Sequence, residues 1–231
     1  MMEKSEYSNH FENVGEAEYK SAWESLERGF EKLRTWHDLS LLRRYLRGTR
    51  VLDFPIGTAR IFPHLIDDFE ISGKDISALY VEKAKRDFPA IQSRFSVGSF
   101  EEPGEGGPFD SIYSLRVLNN VKNFDLAVEN VSALLADDGV WMFNLPPARA
   151  KSAETRDALS RHGFSIERTL DYDWLSAFRT MTYPERKLRQ LWIAAAARGL
   201  APYWLHRLLD MIMPRKGLTM IVARKTGVKG R

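Results

Sequence analysis

Two acids that close apolar runs are the residues best placed to do chemistry. Val51-Leu52 ends in Asp53, and Phe54-Pro55-Ile56-Gly57-Thr58-Ala59-Arg60 follows. This pattern predicts a strand that delivers its carboxyl end to a Gly-containing turn and a helix start. There, unpaired backbone N–H groups and the positive end of a helix dipole hold a small polar ligand. Ile71-Ser72-Gly73-Lys74 closes on Asp75 in the same way, and Ser77 is placed to cap the next helix. A carboxylate at the end of a second strand can accept hydrogen bonds from both hydroxyls of a ribose. Gly98-Ser99 ends a third run, where Ser99 offers an acceptor without charge.

A fourth run over 109–115 leads into Arg116 and then Asn119-Asn120. Arg116 could clamp an anionic substrate; a helix-capping or surface arginine is the plainer reading. The two asparagines can hydrogen-bond but cannot take a proton as a base. His37, His64 and His162 read as surface or helix-end residues. No cysteine is present, which excludes disulfides, thiolate catalysis and Cys-based zinc sites. No metal site is expected, and no catalytic base can be named.

Elements follow from hydrophobic spacing. Tyr19, Trp23, Leu26, Phe30 and Leu33 recur at helical steps over 16–34, and a second helix runs over 36–46 until Gly48. Strands are expected over 50–54, 71–74, 94–97, 109–115, 140–145, 164–170 and 218–224. Helices are expected over 58–69, 78–88, 124–135 and 153–162, with a turn at Asp137-Asp138-Gly139. Strands alternating with helices mean crossover connections. The fold class is therefore α/β: a doubly wound, mostly parallel, seven-stranded sheet with N-terminal helices and a helical insertion before the last strand. One domain over 1–231 is expected, with cap helices over 1–48, core sheet over 49–171 and 217–226, and an insertion or lid over 172–216.

Lys and Arg total 34 against 31 Asp and Glu, a net charge of +3. The distribution is uneven: from Pro184 onward there are 11 Lys or Arg and 2 Asp or Glu. Leu188, Leu191, Trp192 and Ala195 make one apolar stripe there, and Trp204, Leu205, Leu208, Leu209 and Ile212 another. Two basic amphipathic helices suit a lid over an apolar substrate, peripheral contact of 184–216 with an anionic membrane surface, or a dimer surface. No recognised nucleic-acid motif accompanies the charge, so no nucleic-acid partner is expected. The first residues lack an apolar signal core and no run can span a bilayer, so a cytoplasmic location is expected.

Order and spacing together resemble the class I S-adenosylmethionine-dependent methyltransferases. Asp53-Phe54-Pro55-Ile56-Gly57-Thr58-Ala59 is similar to their first motif, with Pro55 and Ala59 in place of its first and third glycines. Gly73-Lys74-Asp75-Ile76-Ser77 looks like their Gly-x-Asp-x-Ser. Gly98-Ser99 stands for their Gly-Asp, Phe109-Asp110 opens their fourth strand, and Val117-Leu118-Asn119-Asn120-Val121 resembles their Val-Leu-His-His-Ile. The resemblance implies S-adenosylmethionine as cofactor, contacted by Asp53, Pro55, Gly57, Thr58, Ala59, Asp75, Ile76, Ser99, Phe100 and Ser114. It implies Tyr19 closing from the N-terminal cap, and Arg116, Asn119 and Asn120 toward a small-molecule acceptor. The expected activity is methyl transfer to a small apolar or amphipathic acceptor. The alternative is an inactive relative that acts as a binding or scaffolding partner.

Overall fold

The computed structural model describes residues 28–174, 176–177, 182–213 and 217–226. Its strands are β1 (Arg50–Asp53), β2 (Glu70–Asp75), β3 (Phe95–Val97), β4 (Phe109–Ser114), β5 (Leu135–Leu145), β6 (Phe164–Tyr172) and β7 (Leu218–Lys225). They form one sheet in the order β3-β2-β1-β4-β5-β7-β6. β1 pairs in parallel with β2 and β4, β3 with β2, and β5 with β4; β7 runs antiparallel between β5 and β6. The chain steps outward from β1 to β3 and then crosses back to β4. The switch point of the sheet, where ligands bind in such folds, therefore lies between β1 and β4.

Helices cover both faces: α1 (Arg28–Tyr45), α2 (Ala78–Asp87), α3 (Phe124–Leu134), α4 (Pro147–Ala150), α5 (Ala153–Arg161), α6 (Tyr183–Ala197) and α7 (Tyr203–Ile212). Strand residues alternate between two cores. Leu52, Ile112, Trp141 and Phe143 pack with Ala127 and Val131 of α3 and Leu159 of α5. Val51, Tyr113 and Met142 pack on the other face with Leu39 and Leu42 of α1 and Val81 of α2. Burial on both faces is why these strands read as near-continuous apolar runs. The Asp110 carboxylate accepts from the backbone N–H groups of Thr49 and Arg50, at 2.8 and 2.9 Å, and so fixes where β1 begins.

Three expectations are corrected. The two N-terminal helices divided at residues 34–36 are one helix, α1, across that point. Nothing in Arg34-Thr35-Trp36-His37 breaks a helix, and each of these residues has a contact to make. The helix over 58–69 is replaced by turns around a short 3₁₀ segment, Phe62–His64. Ala59 sits in the left-handed region (φ 56°), and Pro63 lacks the N–H that an α-turn requires. The turn at Asp137-Asp138-Gly139 is absorbed into β5, with Asp138 at φ 71° and a register shift against β4.

The insertion packs on α1. Leu33 of α1, Trp174, Ile193 and Ala196 of α6, and Ala201 form a third core. Beside it lies a polar seat: His37 Nε2 is 3.4 Å from Asp210 Oδ2, and Asp210 Oδ1 accepts from the Trp174 N–H. His206 accepts from Trp192 Nε1–H at 3.3 Å, and burial together with nearby His37 lowers its pKa to about 4. Among the described residues no helix is long and apolar enough to cross a membrane.

Candidate active site

A cavity of about 310 Å³ opens at the carboxyl ends of β1 to β4. Asp53, the last residue of β1, lines it and is buried. Burial pushes its carboxyl well above the usual carboxylate range, against the opposing pull of Arg60. The Tyr113 hydroxyl lies beside it, outside hydrogen-bonding geometry with any group. Asp75, the last residue of β2, is the second acid. Its Oδ2 accepts from the Gly57 N–H at 2.8 Å and its Oδ1 from the Ser77 N–H at 2.9 Å. Burial still raises its pKa to about 6, opposed by these backbone donors.

The turn after β1 thus reaches its acid through one backbone N–H, not through a helix N-terminus. The Phe54–Pro55 bond is cis, and Gly57 takes φ 49°. A side chain at Gly57 would meet nothing within 4 Å, because the cavity lies in front of it. Gly73 is needed for the opposite reason. A Cβ there would come within 2.4 Å of Ile56 and 2.7 Å of Phe95. Ser77 occupies the N-cap position of α2, yet its hydroxyl makes no cap hydrogen bond and is buried without a partner.

Apolar surface closes the remaining walls. Phe54 and Phe100 stack with ring centroids 3.9 Å apart and planes 14° apart. Ile61, Leu115, Val117 and Val121 also line the space. The cations nearby are paired. Arg116 Nη1 is 2.6 Å from Asp38 Oδ2, and its Nη2 is 3.1 Å from Asp173 Oδ2. Arg60 Nη2 reaches the same Asp38 oxygen at 2.5 Å, and its Nε is 3.5 Å from Glu31. Burial alone would lower the Arg116 pKa; Asp38, Tyr172 and Asp173 override it and hold the group charged. Burial would likewise raise Asp38, but Arg116 and Arg60 keep it below the usual carboxylate range. Asn144 Oδ1 accepts from the Arg116 backbone N–H at 2.6 Å, and Tyr172 donates to Asp38 at 3.2 Å. Arg116 itself is left-handed (φ 61°), as is Asp173 (φ 60°). The network ties α1, the end of β4 and the start of the insertion into one unit.

Among the residues singled out from sequence, Asp53, Pro55, Gly57, Thr58, Asp75, Ile76, Ser99, Phe100, Arg116 and Asn120 line this one cavity. Ala59, Ser114 and Asn119 do not. Ala59 is buried in the core, Ser114 accepts from Trp141 Nε1–H at 3.0 Å inside the sheet, and Asn119 is exposed. Tyr19 lies outside the described residues. The clamp reading of Arg116 is also changed, since its guanidinium is held by two carboxylates. Glu31 and Arg34 of α1 and Tyr80 of α2 line the cavity without having been singled out. Their only sequence signal was a polar or aromatic residue on a helix that precedes or follows a site strand. Arg34 is pressed by burial and by Arg116 to a pKa of about 10.

Residues 52–143 match the family described as methyltransferase domain. Solved structures share the fold. Magnesium protoporphyrin IX methyltransferase from Synechocystis PCC 6803, solved with bound SAM, is 15% identical with a TM-score of 0.60, covering 97% of this chain and 100% of that one. A TehB-like SAM-dependent methyltransferase from Corynebacterium glutamicum is 18% identical with a TM-score of 0.56, covering 94% of this chain and 98% of the other. The [4+2]-cyclase SpnF is 18% identical with a TM-score of 0.55, covering 82% and 80%. A comparison with curated proteins found no match. Residues 52–143 therefore carry a methyltransferase domain, and the whole chain has the fold of S-adenosylmethionine-dependent methyltransferases.

Proposed function

We propose that this enzyme transfers a methyl group from S-adenosylmethionine to a small, apolar or amphipathic acceptor, acting as one domain in the cytoplasm. The observation that carries the acceptor class is the charge state of the cavity. Arg116 and Arg60, which line it, are engaged by Asp38, Asp173 and Glu31, Arg34 is paired with Glu31, and away from Asp53 and Asp75 much of the wall is apolar, built by Phe54, Ile61, Phe100, Leu115, Val117 and Val121. That environment favours an acceptor without full charge, because an unpaired ion would lose its hydration with little return.

The residues present fit the cofactor. Asp75 offers free lone pairs on two oxygens that each take only one backbone N–H, as a ribose diol requires. The open space in front of Gly57 admits close approach of a ligand to the backbone. Ile76 and the Phe54–Phe100 pair supply flat apolar surface for a purine, and Ser99 an acceptor near it. The bound cofactor supplies an activated methyl group on a sulfonium. The chain's part is to align the acceptor and exclude water, worth roughly 7–11 kcal/mol in well-oriented reactions. A base is needed only when the acceptor must lose a proton.

Calorimetry with S-adenosylmethionine and S-adenosylhomocysteine tests this reading; no heat from either at near-millimolar concentration would sink it. Gly57→Val is expected to lower S-adenosylhomocysteine affinity at least tenfold, while left-handed strain costs about 1–2 kcal/mol of stability. Wild-type affinity in that variant would take Gly57 out of the ligand's path. A second reading, a protein of this fold that binds without transferring, draws support from the likeness to a [4+2]-cyclase. It predicts cofactor binding with no S-adenosylhomocysteine released in the presence of any apolar acceptor tried.

A further inference from the structure

We infer that the outward face of α7, with the basic residues around it, docks on an anionic lipid surface. The helix is built inside out. Its polar residues His206 and Asp210 are buried against α1, where Asp210 meets His37. Leu209 packs into the third core, but four other large apolar residues face away: Trp204 is 67% exposed, Leu208 44%, Met211 74% and Ile212 63%. Their spacing at i, i+4, i+7 and i+8 sets them on one face of the helix. Leu200, just before the helix, is 71% exposed and extends the apolar surface. A contiguous outward apolar face of this kind marks an interaction site.

Charge selects the occupant. Over 182–213 the acids are Glu185 and Asp210. Asp210 is buried in its seat, and Glu185 folds back on Thr182, accepting from its backbone N–H at 2.6 Å. Lys187, Arg198 and Arg207 are exposed, and Arg207 lies one step around α7 from Met211. The solvent-facing charge of the α6–α7 hairpin is therefore positive. A second copy of the same face would bring like charges together. An anionic headgroup layer over acyl chains satisfies both features, taking the Trp204 stripe into its interface and the basic residues at its surface. The inference goes beyond the transfer reaction and does not rest on it.

Sedimentation of the full chain with vesicles tests it. Vesicles of phosphatidylcholine with about 30% phosphatidylglycerol are expected to pellet the protein in about 50 mM salt and to release it in about 500 mM. Pure phosphatidylcholine is expected to pellet at least tenfold less. The double variant Trp204→Glu/Met211→Glu is expected to lose at least tenfold in partitioning and to keep its melting temperature and S-adenosylhomocysteine affinity. Wild-type protein that stays in the supernatant at low salt, or a double variant that pellets like wild type, overturns the inference. So does a dimer in light scattering that the same two substitutions abolish. The readout is sedimentation, so a chain that bound no cofactor would still decide the matter.

Discussion

Asp75→Ala is expected to weaken S-adenosylhomocysteine binding by more than about tenfold. Hydrogen bonds to a charged group contribute roughly 1.5–3 kcal/mol, and this carboxylate faces the cavity while also holding the Gly57 and Ser77 N–H groups. Its titration gives a second handle. The folded pKa, about 6, lies above the ordinary carboxylate value because of burial. The protonated form is favoured in the fold, so its contribution to stability is present at acid pH and is lost as pH rises between about 4 and 6. A ribose diol donates to the ionised form. Affinity is therefore expected to rise by up to about tenfold from about pH 5 to about pH 7, with stability of the free protein moving the other way. Asp75→Asn should flatten the profile. Calorimetry across that range checks both; a flat wild-type profile, or unchanged affinity in Asp75→Ala, would remove Asp75 from the ribose.

Arg116→Met is expected to have the largest effect on stability. Removing one partner of a buried ion pair leaves uncompensated charge and costs about 3–5 kcal/mol. Here the loss leaves Asp38, which is completely buried, with Arg60 and the Tyr172 hydroxyl, and Asp173 with Ser176 and the field of Arg34. For a chain of this size that corresponds to roughly 6–20 °C in melting temperature. The sign with pH follows from the shifts. In the wild type Asp38 and Asp173 lie below the ordinary carboxylate value, burial being outweighed by Arg116. Their stabilisation is present above about pH 4 and is lost as pH falls below it. In the variant the stranded carboxyls rise and gain by protonation, so the deficit should narrow between about pH 7 and about pH 5. Thermal melts at the two pH values decide it; a constant deficit would mean that lost packing, not stranded charge, accounts for the change.

The centre of the sheet could be read from the chain because β1, β2 and β4 are short, largely buried runs closed by a polar residue. Asp53 and Asp75 could be found for the same reason: they are where those runs stop. Other features depend on partners far away. Asp38 looks like any helical acid until Arg116 and Tyr172 arrive, 78 and 134 positions away. The helix expected over 58–69 failed because periodicity there was outweighed by Ala59 in the left-handed region and by Pro63. In α7 the spacing of Trp204, Leu208 and Ile212 is helical, but spacing does not say which face is turned inward. The His37–Asp210 pair settled that, and put the polar face inside.

The position of β7 bears on how the chain is made. It is the last strand in sequence, yet it lies between β5 and β6 and pairs with both. Until Leu218–Lys225 has left the ribosome, β5 carries an open apolar edge, and β6 has no neighbour on the sheet. Synthesis at roughly 5–20 residues per second leaves that edge waiting for seconds while α6 and α7 emerge. An unpaired strand edge is a template for other chains. Nascent copies on one message are therefore most exposed to joining each other in this interval, and a chaperone that shields β5 would act then.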